Sequence, residues 1–139
     1  MKVKRMVFAV LICLFLAGCG GAKYVEEKTL LTTVTTAMET FTSAISSAGA
    51  PAEITQAIGA FTGKIEEVLP KMKEMSDAHP DWKDNPPQEL QGVIDKFKAA
   101  TENFKSQAMP KIVQVAQENA DNLELQDSLK KFGDLMSQL

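Results

Sequence analysis

Reactive chemistry in this chain rests on few side chains: two thiols, Cys13 and Cys19, one imidazole, His79, and seven methionines. His79, Asp81 and Asp84 share a proline-rich stretch and supply donor types that bind metal ions. Metal sites inside helical bundles draw instead on inward Glu and Glu-x-x-His pairs. Those pairs are missing from this sequence, so a solvated turn is the plainer reading of His79. Met38, Met72, Met75 and Met136 could ligate haem, but Cys-x-x-Cys-His is absent and adaptable core filling accounts for them. Glu66 and Glu67 are neighbours in sequence, so on a helix they point in different directions and cannot act as a catalytic pair. Without a phosphate-cradling glycine loop or a helical histidine, nucleophilic and general-base schemes lack their parts. The expectation is a non-enzymatic protein with no catalytic residue, no metal and no cofactor.

Cys19 is placed for a different chemistry. Lys2, Lys4 and Arg5 precede an unbroken apolar run from Met6 to Ala17, and Leu16-Ala17-Gly18 stands directly before the thiol. Cations, about a dozen apolar residues and small residues at the end form a secretory signal. The run is too short for the roughly 20 residues of a spanning helix. Leu16-Ala17-Gly18-Cys19 resembles the lipobox of bacterial lipoproteins. That resemblance covers residues 1–19 only. It implies recognition through Leu16, Ala17 and Gly18, cleavage before Cys19, and fatty acyl chains such as palmitate on the cysteine. Two or three chains anchor a protein firmly where one does not. Gly20 follows where inner-membrane lipoproteins often carry aspartate, so the resemblance implies the outer membrane, facing the periplasm. In a Gram-positive host the same residues imply the outer face of the plasma membrane. The expected organisation is a cleaved signal at 1–18, a short lipid tether at 19–23 and a domain at 24–139.

Removal of residues 1–18 takes three cations and no acid, leaving 12 cations against 18 acids, a net charge of −6. Such a balance, without a basic cluster, argues against nucleic acid and against broad adhesion to anionic lipid. Cys13 leaves with the signal and Cys19 is consumed by lipid, so no thiol remains for a disulfide. The domain must stand on its apolar core.

That core is written as a repeat: an apolar residue, another four later, and phenylalanine three after that. It appears at Val34-Met38-Phe41, Ile54-Ile58-Phe61, Leu90-Ile94-Phe97 and Leu125-Leu129-Phe132. Alternating steps of three and four place side chains on one helical stripe. An average of 3.5 residues per turn predicts left-handed, near-antiparallel packing. Gly49-Ala50-Pro51 separates the first two helices, and the stretch His79 to Pro87 separates the second from the third. The reading is an all-α, antiparallel up-down four-helix bundle, with outward-facing prolines kinking two helices at Pro70 and Pro110.

Three residues are candidates for contact with a partner. Gly59 and Gly63 form a small-x-x-x-small pair on the outer side of the second helix, where each glycine weakens the helix by up to about 1 kcal/mol. Close packing within the bundle is the plainer account of them. Trp82 is the sole tryptophan, suited to anchoring an interface or to folding over the open end of the bundle. The Thr- and Ser-rich segment from Thr29 to Ser47 reads as solvated helix surface. With a tether of about 10–14 Å, the body is held against its membrane. The expected role is an accessory lipoprotein that binds another envelope protein through helix faces; the alternative is a carrier of an apolar small molecule in the bundle core.

Replacing the thiol isolates the anchor. A Cys19→Ser chain should persist as unprocessed or mislocalised precursor by mass spectrometry and membrane fractionation, whereas normal processing and membrane retention would refute lipidation.

Overall fold

Among the described residues, apolar stripes at steps of three and four close into four helices, as their spacing requires. The computed structural model describes residues 23–138, and all regular structure among them is helical. Helix α1 is Val25–Ser47, α2 is Pro51–Ala78 and α4 is Leu123–Met136. Helix α3 spans residues 91–118 and has three parts: α-helical Gln91–Asn103, a π turn Phe104–Ala108 and α-helical Met109–Glu118. Two short 3-10 turns, Pro80–Lys83 and Gln88–Leu90, lie in the connection between α2 and α3. No described helix is long and apolar enough to cross a membrane.

The helix ends follow from local chemistry. Pro51 opens α2, and Glu53 turns back so that the backbone N–H groups of Gly49 and Ala50 donate to its carboxylate at 2.6 and 3.1 Å. This is the glutamate half of a capping box; Ala50 has no side-chain oxygen to supply the other half. Between α3 and α4 the chain turns over Asn119 to Asn122. The Asn119 amide donates to the Val115 carbonyl, and the Asn122 side chain accepts from the Leu125 N–H at 3.1 Å. Helix α1 has no basic residue in its last turn. Lys111 of α3 supplies one, its Nζ donating to the Ser46 and Ala48 carbonyls at 3.0 and 2.7 Å. A cation there satisfies orphan carbonyls and meets the negative end of the helix dipole.

Helix α1 packs against α2 and α3, and α4 packs against α2 and the last part of α3. Thr101 of α3 meets the Met38 sulfur of α1 at 3.6 Å, and Lys111 meets the end of α1, so the two contacts follow the same order along both helices. At the centre each helix contributes one ring. Phe41 lies 4.7 Å from Phe61, 5.6 Å from Phe104 and 5.6 Å from Phe132, measured between ring centroids. Ile45, Ile54, Ile58, Ile65 and Leu125 fill the layers around them and are fully buried.

The repeat places three of these rings correctly and the fourth wrongly. Leu90 is buried, but Ile94 and Phe97 are only half-buried; Phe97 packs on the flank of the core, and Phe104, two turns further on, takes the central place. From Ala100 the buried stripe of α3 advances in steps of four, through Phe104 and Ala108 to Ile112. Each such step overshoots one α-helical turn by about 40°. A turn closed from residue i to i+5 holds more residues and takes up part of that drift. The π turn does this, with the Met109 N–H bonding the Phe104 carbonyl. It also ends just before Pro110, which has no N–H to give. Pro110 and Pro70 are both exposed, and neither breaks its helix.

The ring cluster sets a graded expectation. Phe61→Ala and Phe104→Ala should each cost about 3–5 kcal/mol, and Phe97→Ala clearly less, by urea unfolding. Equal losses at Phe97 and Phe104 would contradict the central quartet.

Candidate functional site

Rotating the phenylalanines inward fixes what the helices present outward. Along the outer seam of α1 and α2 runs an open trough of about 730 Å³. Its α1 wall carries Thr29, Thr33, Thr36, Thr40, Ala37 and Ala44; its α2 wall carries Ala57 and Ala60, with the edges of Phe41 and Phe61 beneath. The trough surface is mostly carbon, although threonines line it. Thr29 and Thr33 donate their hydroxyls to the carbonyls of Val25 and Thr29, each at 2.8 Å. A threonine bonded back to its own helix has spent its polarity and offers a methyl group. Thr29, Thr32, Thr36 and Thr40 are exposed, as expected of solvated helix surface, and together with Ala37 and Ala44 they also form one wall of this open recess.

Lys28 and Lys64 stand at one end of this trough. Lys64 pairs with Glu67 at 2.8 Å, and its hydrogen bond and charge hold the Glu67 carboxyl below the usual carboxylate range. The pair is largely exposed, so it contributes little to stability. A smaller groove between α1 and α3 carries more polar side chains, among them Glu39, Ser43, Ser46, Asn103 and Gln107. Beneath it the Thr42 hydroxyl is buried without a hydrogen-bond partner among the described residues.

A second feature lies where α1 begins and α2 ends. The Trp82 ring lies flat on the His79 imidazole, with centroids 3.7 Å apart and planes 7° from parallel. The ring of Tyr24 meets Trp82 edge-on at 5.1 Å. Tyr24 precedes α1 with φ 62° and ψ 37°, a left-handed backbone, and its carbonyl accepts from the Lys28 N–H. Asp81 closes the neighbouring turn through its carbonyl, which accepts from the N–H groups of Asp84 and Asn85. Among the described residues no three His, Cys, Asp or Glu side chains converge. Met38 is buried, while Met72, Met75 and Met136 pack partly buried against the core.

The candidate contact residues are not brought together. Gly59 and Gly63 lie on the exposed surface of α2, and Trp82 lies beyond the end of that helix. Close packing within the bundle does not explain the glycines. A Cβ built on either meets nothing within 4 Å, because the core-facing stripe of α2 is Ile54, Ile58, Phe61 and Ile65. Leu16, Ala17, Gly18 and Cys19 lie outside the described residues. The trough escaped the sequence reading because threonine counts as polar by type. The usable signal was the spacing of Thr29, Thr33, Thr36 and Thr40 at steps of four and three beside the core stripe. No protein-family model matches the chain, and neither a curated protein nor a solved structure matches it.

Open space at the glycines gives a signed expectation. Gly59→Ala and Gly63→Ala should each raise stability by up to about 1 kcal/mol, seen as a higher Tm; a loss would mean that these positions need glycine for packing.

Proposed function

We propose that this chain is a lipid-anchored, non-enzymatic accessory protein of a bacterial envelope, which binds the apolar face of a helix in another envelope protein. The trough between α1 and α2 carries this reading. A groove with small and methyl-bearing walls admits a helix whose apolar residues recur at steps of three and four. The exposed glycines of α2 extend the same logic to its outer surface, where nothing within the bundle uses the space.

The proposed arrangement is an antiparallel up-down bundle with left-handed packing, bent at Pro70 and Pro110. The short turn between α1 and α2 supports it, as do the contacts that α1 and α3 make in the same order. In that arrangement the start of α1, the end of α2 and the start of α3 share one end. The lipid on Cys19 would hold this end at the bilayer, in the outer membrane facing the periplasm or on the outer face of a Gram-positive plasma membrane. The trough would then run up the side of the bundle, away from the lipid.

A second reading has its own observation. A carrier of an apolar small molecule would use the same trough, since four phenylalanines occupy the bundle centre, and Lys28 and Lys64 at one end suit an anionic head.

A photo-crosslinking amino acid at Thr36 should give one discrete protein adduct in intact cells, and the same group at exposed Lys130 of α4 should not. Ala60→Glu, an exposed position in the trough, should abolish the adduct. Equal labelling at both positions would refute helix docking. A small molecule retained in native mass spectrometry of protein from its own host would favour the carrier.

A further inference from the structure

We infer that Tyr24 and Trp82 form a membrane-contact surface that rests in the headgroup layer of the bilayer. This contact is separate from the trough; it rests on the lipid-anchor reading. The chain has one tyrosine and one tryptophan, and the fold brings both to the same end, edge to face at 5.1 Å. Amphipathic rings of these two types concentrate at membrane–water interfaces, where one edge is apolar and the other wet. Neither ring belongs to the hydrophobic core, and both are half-buried.

Three further observations point the same way. Tyr24 holds a left-handed backbone that residues with a Cβ adopt rarely and against a penalty. That conformation is retained with its ring against Trp82 and its carbonyl holding the first turn of α1. The surroundings of the rings include apolar and rigid residues: Val25, 45% exposed, and Pro80, Pro86 and Pro87 in the adjoining connection. The face-on neighbour of Trp82 is the His79 imidazole. Finally, Tyr24 is five residues from Cys19, a reach of about 17 Å at full extension, so an acylated Cys19 keeps these rings at the bilayer surface.

Charge does not drive the contact. Exposed Lys23 and Lys83 flank the rings, but Asp81, Asp84 and Glu26 are exposed beside them. The rings should therefore insert into zwitterionic and anionic bilayers alike.

Because Trp82 is the only tryptophan, intrinsic fluorescence reports on this site alone. Full-length lipidated protein is reconstituted into phosphatidylcholine vesicles bearing nitroxide either at the headgroup or midway along the acyl chain. Headgroup nitroxide should quench Trp82 several-fold more than mid-chain nitroxide, and aqueous acrylamide should lose access. As a control, Trp82→Phe combined with Leu123→Trp moves the reporter to an exposed position (79%) at the start of α4; there acrylamide should quench and nitroxide should not. Protein that floats with the vesicles while Trp82 stays open to acrylamide overturns this inference alone. Protein that does not float overturns the anchor as well. Equal headgroup quenching at both positions means that the bundle lies on its side, which also overturns the inference.

Discussion

Four phenylalanine rings, one from each helix, meet within 6.2 Å of one another, and the other features are consequences of that meeting. A helix has only one rotational setting that turns a given residue inward, and its other residues follow at 100° intervals. Turning Phe41 to the centre sends the stripe Thr29-Thr33-Thr36-Thr40 to the seam with α2. Turning Phe61 inward leaves Gly59 and Gly63 facing open space. The outer surfaces are thus set by core packing before any partner is considered. Aromatic pairs at these separations contribute more than the area they bury, by about 0.5–1.5 kcal/mol each, which helps a domain without disulfides hold one arrangement.

Helix α3 shows what that requirement imposes. Its inward residues fall at steps of four, a spacing that a regular α-helix carries steadily around its axis. The π turn at Phe104–Ala108 corrects the drift at the place where Pro110 already denies the helix a hydrogen bond. One local departure answers both problems. Directly after it, Lys111 reaches the carbonyls at the end of α1, which α1 has no cation of its own to satisfy.

Much of this was legible in the sequence, and the failures share a cause. Steps of three and four gave four helices, and the stripe positions Val34-Met38-Phe41 of α1 and Ile54-Ile58-Phe61 of α2 are all buried, with Thr35 and Thr42 buried beside those of α1. Pro70 and Pro110 are exposed, as the outward-facing kinks read from the sequence required. The error at Phe97 arose from extending a 3.5-residue repeat along α3, where the buried residues themselves step by four. The Lys111 cap could not be read, because it joins residues more than 60 positions apart that only tertiary packing brings together. The trough was missed because residue type was read as surface chemistry: Thr29 and Thr33 turn their hydroxyl protons back to their own helix, and Ala37, Ala44, Ala57 and Ala60 add carbon to the lining.

The two outward features differ in the kind of surface they offer. The trough is long, carbon-rich and parallel to the helices, so whatever fills it must be extended in that direction and gains mainly from apolar burial. The Tyr24–Trp82 pair is compact, terminal and amphipathic, suited to a flat boundary between water and hydrocarbon. A body moored through Cys19 would separate these demands by geometry. Under such an anchor, the four residues between Cys19 and Tyr24 would leave no length to turn the other end of the bundle toward the lipid. The lateral seam then stays accessible from the aqueous side, and a helix docked along α1 would leave the bilayer in the direction in which α1 rises.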